Sequence, residues 1–465
     1  MKDKFLFTKN STKKSNAYNY NLNNVKKPNL YKGTFPYSEV PRLKFNNIHY
    51  PKNLPENIWI TDTTFRDGQQ SMSSFTVEQI VKLYDYLHKI DNGSGVIRQT
   101  EFFLYSEKDR LAVKECMNKG YDFPEITSWI RAKEEDLELV KKMGIKETGM
   151  LMSCSDYHIF KKLNVDRRKA MNMYLSLAEK ALENGIVPRC HLEDITRADF
   201  YGFVVPLVNN LLELSKGSEL DVKIRACDTL GLGVAFDGVE LPRSIPAIIH
   251  GLKYNTDIKS EQIEWHGHND FYSVVDNSLA AWLYGSSSIN TTLFGIGERT
   301  GNCPLEAMLV QYGQLKGSLD DLNLKVITEV AEYFQRELNY KIHSDTPFVG
   351  NEFNVTKAGI HADGMLKNEE IYNAFDTEKI LDRPAIVAIN QYSGLAGIAA
   401  WVNTFFRLKG DNKITKKDPR LRPIKTWIDE QYENGRTTVI HNKELKRIVS
   451  LHLPSLLKDD DIEAV

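Results

Sequence analysis

Between residues 58 and 293 the chain repeats one unit, a short apolar run followed by a stretch with apolar residues at helical spacing. The runs are Ile58-Trp59-Ile60, 98–104, 124–129, 147–153, 187–193, 222–228, 262–268 and 287–293. Helical patterns lie between them, for instance Glu134 to Lys142, Arg168 to Asn184 and Tyr201 to Leu214. After the first run, Thr76 reads as an N-cap, with Gln79 three residues on as in a capping box. Strands joined by helical crossovers run parallel, and eight such units over about 270 residues predict an α/β fold of the (β/α)8 TIM-barrel type. A doubly wound sheet is the alternative, but no Gly-x-Gly-x-x-Gly follows the first strand to support it.

The rest of the chain divides around this block. Residues 1–55 form an N-terminal extension, of which the first 35 or so are rich in Asn, Lys, Tyr and Ser. They read equally as a disordered tail or, from Tyr18, Tyr20, Tyr31, Phe35 and Tyr37, as a segment packed on a surface. Residues 56–320 are the expected barrel and 321–465 helical C-terminal subdomains, beginning with an amphipathic helix from Asp321 to Leu338. A net charge of -2 argues against nucleic acid or an anionic membrane as partner. No apolar run approaches a membrane span, and no secretory signal opens the chain. Five scattered cysteines without Cys-x-x-Cys point to free thiols and a cytoplasmic location.

Barrel enzymes carry their chemistry at the C-terminal ends of the strands. Polar residues cluster there in this chain. Arg66, Asp67 and Gln70 follow strand one and Glu101 lies in strand two. Ser155 and His158 follow strand four, Glu193 ends strand five, and Thr229 follows strand six, which also holds Arg225. His266 and His268 end strand seven and project to one face, being two residues apart. Asn302 follows strand eight. With Asp67 the two histidines make an N2O ligand set without thiolate. That set suits an octahedral divalent ion such as Mn²⁺, Co²⁺ or Mg²⁺, or a catalytic Zn²⁺, with positions left for the two oxygens of a 2-oxo acid. Two solvated histidines and a turn aspartate are the plain alternative. Arg66 reads as a stabiliser of oxyanion charge or as a salt bridge at the mouth. Glu193 reads as a general base or a supporting carboxylate, and Thr229 as a donor to a substrate carboxylate or an N-cap. Glu101 and Gln70 read as supporting groups. His361 lies outside the barrel and reaches a site only if its loop folds over a barrel mouth.

Together these segments resemble one family. Asp62-Thr63-Thr64-Phe65-Arg66-Asp67-Gly68-Gln69-Gln70 is similar to the D-T-T-L-R-D-G-x-Q signature of the DRE-TIM metallolyase superfamily, and His266-Gly267-His268-Asn269-Asp270 to its H-x-H-N-D motif. Gly295-Ile296-Gly297-Glu298-Arg299-Thr300-Gly301-Asn302 resembles the G-x-G-E-R-x-G-N motif of the Claisen-condensing branch. The segments Ala358–Gly364 and Asn368–Tyr372 resemble that branch after the barrel. The resemblance implies condensation of acetyl-CoA with a 2-oxo acid. Asp67, His266 and His268 would bind a divalent metal, most readily Mn²⁺ or Co²⁺, with Asn302 beside it. Arg66, Glu193, His361 and Tyr372 would be catalytic, the last two entering the barrel of a partner in a homodimer with shared active sites. Gln70, Glu101, Ser155, His158, Thr229 and Arg225 would contact substrate. Thr100-Glu101-Phe102-Phe103-Leu104-Tyr105 in strand two and Arg225-Ala226-Cys227-Asp228 in strand six depart from most relatives. An extra cation at Arg225 implies oxaloacetate as the 2-oxo acid, its second carboxylate being one an apolar pocket would exclude. The keto acids of isopropylmalate or homocitrate synthesis are the alternatives, and a hydroxymethylglutaryl-CoA-type carbon–carbon lyase a more distant one.

Overall fold

Eight parallel strands close in chain order into one barrel. They are β1 (Trp59–Asp62), β2 (Ile97–Phe102), β3 (Glu125–Ile130), β4 (Glu147–Ser153), β5 (Val187–Glu193), β6 (Lys223–Asp228), β7 (Ile263–Gly267) and β8 (Ser288–Thr291). Closure comes from β1 pairing with β8, Ile60 opposite Ile289. The outer helices are α1 (Val77–Asp91), α2 (Glu107–Met117), α3 (Glu134–Met143), α4 (Arg167–Glu183), α5 (Val205–Ser215), α6 (Ile245–Asn255), α7 (Val274–Tyr284) and α8 (Leu305–Lys316). This computed structural model describes residues 20–456 except 358–360, 362, 363 and 366. The first 19 residues, Tyr18 among them, and most of the Ala358–Gly364 motif lie outside the described residues.

Helix α1 shows how local signals start each element. Gln79 N–H donates to Thr76 Oγ1 at 3.2 Å and Thr76 N–H donates to Gln79 Oε1 at 2.9 Å, the reciprocal capping box. Its apolar stripe Ile80, Leu83, Leu87 and Ile90 is fully buried against the barrel. Each such side chain contributes about 1.5–3 kcal/mol.

Inside the barrel the strand alternation delivers an unusual filling. Branched apolar residues ordinarily occupy barrel interiors. Here three alternate residues of β5 are polar or charged: Arg189, His191 and Glu193. Buried ion pairs link the interior layers. Arg225 bonds Glu101 at 2.9 Å and Glu264 at 2.9 Å. Arg189 pairs with Glu264 at 3.3 Å and with Glu147, which also takes Lys223 at 2.6 Å. Such groups stay charged in a dry core only because each faces an opposite charge.

The chain forms two compact units, the first ending at Leu322 and the second starting at Asn323. Residues 20–55 belong to the first and lie along the outside of the barrel, so the packed reading of this stretch is the one observed. Asn23 N–H donates to Gly202 O at 2.9 Å, Asn29 N–H to Asp156 Oδ2 at 2.6 Å, and Glu240 N–H to Lys44 O at 2.9 Å. The helix expected from Asp321 begins only at Lys325, because Asp320, Asp321 and Leu324 lie in turns. Helices Leu395–Phe405, Leu421–Glu433 and Asn442–His452 enclose an apolar core that includes Trp401, Leu421, Ile428 and Val449. No helix among the described residues is long and apolar enough to cross a membrane.

Candidate active site

The loop after β1 is a tight turn anchored on Asp62. Thr64 donates to Asp62 from its N–H at 3.1 Å and its hydroxyl at 2.6 Å, and Thr100 donates a third bond at 2.8 Å. Burial still pushes the Asp62 carboxyl up to about 6. The turn swings Arg66 and Asp67 over the barrel axis. Strand β7 brings His266 and the residue after its end brings His268.

Asp67, His266 and His268 converge, all three buried. Their ligand atoms stand 3.7 Å (Asp67–His266), 3.8 Å (Asp67–His268) and 3.1 Å (His266–His268) apart. Atoms about 2.1 Å from one ion lie about 3–4 Å from each other, so a single divalent cation fits among them. The tautomer agrees. Asn290 donates its amide to Thr61 O at 3.3 Å, which turns its carbonyl oxygen toward His266 Nδ1, 2.7 Å away. That leaves the Nε2 lone pair of His266 facing Asp67. Burial pushes the His266 imidazole down to about 3 and lowers His268 too, so both are neutral ligands. Burial opposes ionisation of Asp67. The Arg66 charge and the Asn302 hydrogen bond outweigh it and hold the carboxyl well below its usual range.

Asn302 donates to Asp67 Oδ2 at 2.6 Å, while its own Oδ1 is buried without a partner among the described residues. Gly297 makes room for this amide, since a Cβ there would stand 2.3 Å from Asn302 Oδ1. Arg66 donates Nε to Glu101 at 2.8 Å and Nη1 to Asp67 at 3.0 Å, with its guanidinium 5.5 Å from the Trp129 ring centre.

Arg66, Asp67, His266 and His268 line a cavity of about 210 Å³ together with Gln70, Trp129, Leu151, His191, Glu193, Cys227, Thr229 and Arg299. Thr229 Oγ1 accepts the Asp194 N–H at 2.9 Å, which leaves its hydroxyl proton to donate. Glu193 is gripped by Lys162 at 2.8 Å, by His158 at 2.8 Å and by the Ser153 hydroxyl. Burial raises its carboxyl, but these partners prevail and bring it to about 2.

Four residues expected at substrate do not line the cavity. Arg225 is fully buried between Glu101 and Glu264, one layer below the mouth. Glu101 is fully buried as the shared anchor of Arg66 and Arg225. Ser155 is fully buried and bonded to Asp194. His158 stands behind Glu193. His361 and Tyr372 belong to the second unit, their rings 4.4 Å apart. His191, Trp129 and Cys227 are lining residues that sequence reasoning passed over. The polar alternation of Arg189, His191 and Glu193 was the available signal for the first.

The loop motifs, the barrel and the ligand cluster together define a metal-dependent member of a known enzyme family. The chain belongs to the HMGL-like family, whose model matches residues 57–333. It is 64% identical over 448 residues to the citrate (Re)-synthase of Clostridium kluyveri, covering 96% of this chain and 99% of that one. It is 49% identical to the citrate (Re)-synthase of Syntrophus aciditrophicus over 95% of this chain and 70% of that one. The crystal structure of hydroxymethylglutaryl-CoA lyase from Pseudomonas aeruginosa shares the barrel, with a TM-score of 0.50, 16% identity and coverage of 62% of this chain and 95% of that one.

Proposed function

We propose that this protein is a citrate (Re)-synthase, condensing acetyl-CoA with oxaloacetate to give citrate and CoA. The observation that carries the reading is the identity of 64% over 96% of the chain, joined to a cavity holding Asp67, His266, His268 and Arg66. A divalent ion held there, Mn²⁺ or Co²⁺ by preference, would supply Lewis acidity toward the ketone of the 2-oxo acid. Asp67, His266 and His268 would hold it, with Asn302 steadying Asp67. The Thr229 hydroxyl donates to the carboxylate next to the ketone. Arg66, fixed by Glu101 and Asp67, faces the oxygen on which negative charge develops as the new carbon–carbon bond forms. That oxygen then takes a proton, and water cleaves the thioester to release the CoA thiol.

A base must first take a proton from the acetyl methyl. Glu193 borders the cavity, yet a carboxylate held near 2 is a weak proton acceptor at neutral pH. This favours His361, assisted by Tyr372, reaching the barrel of a second subunit, so the active unit is a homodimer. Five free thiols suit a cytoplasmic enzyme. The test is CoA release with oxaloacetate, 2-oxoglutarate, 2-oxoisovalerate and pyruvate in the presence of Mn²⁺. Oxaloacetate should be turned over fastest; preference for any other acid would remove the citrate assignment and favour another synthase of the family.

A further inference from the structure

The cavity has two walls. The triad and Arg66 occupy the β1 and β7 side. Trp129 of β3, Leu151 of β4, His191 of β5 and Cys227 of β6 line the other. On the first wall Arg66 rests on Glu101, a buried carboxylate that itself needs an anchor. We propose that Arg225 is a positioning residue for Arg66. It reaches across the barrel from β6, fixes the Glu101 carboxylate and supplies the charge that Glu101 would otherwise draw from Arg66.

Glu101 lies on β2 and Arg225 on β6, on opposite sides of the eight-stranded barrel. Both side chains are fully buried. Arg225 Nη1 donates to Glu101 Oε1 at 3.0 Å and stands 2.9 Å from Oε2. A single nitrogen astride both oxygens fixes the carboxylate against rotation. Arg66 Nε donates to the same Oε1 at 2.8 Å, and the Thr63 hydroxyl does so at 3.1 Å. The other neighbours of Oε2 are more distant, Arg189 Nη1 at 3.7 Å and His191 Nε2 at 3.6 Å. Arg225 is held in turn from its far end. Glu264 is its register partner on β7, with Oε1 2.9 Å from Arg225 Nη2. Arginine presents separate nitrogens to two carboxylates, where lysine has one.

A carboxylate in a dry core is stable only beside matching charge. Burial works against the Glu101 charge. Arg225 is the foremost of the groups that outweigh it, ahead of Arg66, and together they hold the carboxyl well below its usual range. Without Arg225, the cation nearest to Glu101 is Arg66. Its guanidinium would turn onto both Glu101 oxygens and away from Asp67, to which Nη1 now donates at 3.0 Å. With Arg225 in place, Arg66 commits only Nε to Glu101, and its terminal nitrogens serve the wall it lines.

The inference rests on the condensation reading and is tested separately from it. Full-length, Mn²⁺-loaded wild type, Arg225→Lys, Arg66→Ala and the double variant are assayed for CoA release with the 2-oxo acid that the wild type turns over fastest. Arg225→Lys keeps the charge but loses the fork, and should lower kcat about 10-fold with both KM values unchanged. Mn²⁺ affinity, read by calorimetry, should hold. In the Arg66→Ala background the same change should cost less than about 2-fold, because residues that act as one unit are not additive. Losses that multiply, a loss confined to KM, or no loss in Arg225→Lys alone overturns the positioning role and leaves the condensation reading intact. If circular dichroism shows that Arg225→Lys does not fold, Glu264→Gln decides. It leaves the guanidinium in place but loosens its far end, and should cost about 3-fold in kcat beside Arg66 and nothing beside Arg66→Ala. A wild type that releases no CoA with any 2-oxo acid overturns both.

Discussion

The triad wall and the wall facing it are built on opposite principles. On the first, Asp67, His266, His268 and Arg66 come from loops and strand ends and are tied to one another within about 4 Å. On the second, the cavity surface is mostly apolar, and the charges, Arg189, Arg225, Glu101 and Glu264, are withdrawn one layer down, fully or almost fully buried. The difference teaches a division of labour. In the proposed reaction the first wall handles charge that appears as the bond forms, and so touches the reacting atoms. The second offers the cavity a largely apolar surface, its charges neutralised in ion pairs beneath it.

The comparison breaks most readily on the first wall. Asp67→Ala or His266→Ala should lower kcat/KM on the order of 10⁴-fold, several kcal/mol of transition-state stabilisation. Calorimetry should show loss of Mn²⁺ binding in the same variants. On the second wall, Arg225→Leu leaves Glu101 and Glu264 short of their counter-charge and should destabilise the fold by about 3–5 kcal/mol, read as a lowered urea midpoint. A variant of normal stability with only a raised KM would mean that Arg225 reaches the cavity. Arg66→Ala should cost about 10²- to 10³-fold in kcat with little change in KM, because its contact strengthens as negative charge develops.

The smallest effect lies beneath the loop that carries Asn302. Glu306 is buried in α8 and accepts the Phe294 N–H at 3.1 Å, and burial raises its carboxyl from 4.5 to about 7. A raised acid is most compatible with the fold when protonated, so this group draws down stability as pH climbs from about 4.5 through 7. Glu306→Gln, which stays neutral, should therefore be stabilised on the order of 2 kcal/mol at pH 8 and gain nothing at pH 4. Thermal unfolding at both pH values checks the sign.

Much of the first wall was readable in advance because its residues sit in consecutive motifs: Arg66 with Asp67, and His266 with His268. The eight β/α units and the Thr76–Gln79 capping box were readable for a similar reason, since periodicity and caps are local. The second wall was not. Whether Arg225 touches substrate or sits beneath it depends on its layer in a closed barrel, which is set by the register and tilt of every strand. His191 and Trp129 acquire meaning only when β3 and β5 stand across from the triad. The resemblance places Ser155 at the substrate, but its hydroxyl donates to Asp194, 39 residues on in the sequence, a pairing that only the folded barrel reveals. The start of the second unit's first helix shifted to Lys325 because an amphipathic pattern continues through turns that do not belong to the helix.

The account is tested most directly by following the acetyl carbon. Citrate made by this enzyme from oxaloacetate and carboxyl-labelled acetyl-CoA is cleaved with a citrate lyase that releases acetate from the pro-S arm. A citrate (Re)-synthase places the new acetyl unit on the other arm, so the label should remain in oxaloacetate. Label in the released acetate, or no citrate at all with Mn²⁺ present, would contradict the account.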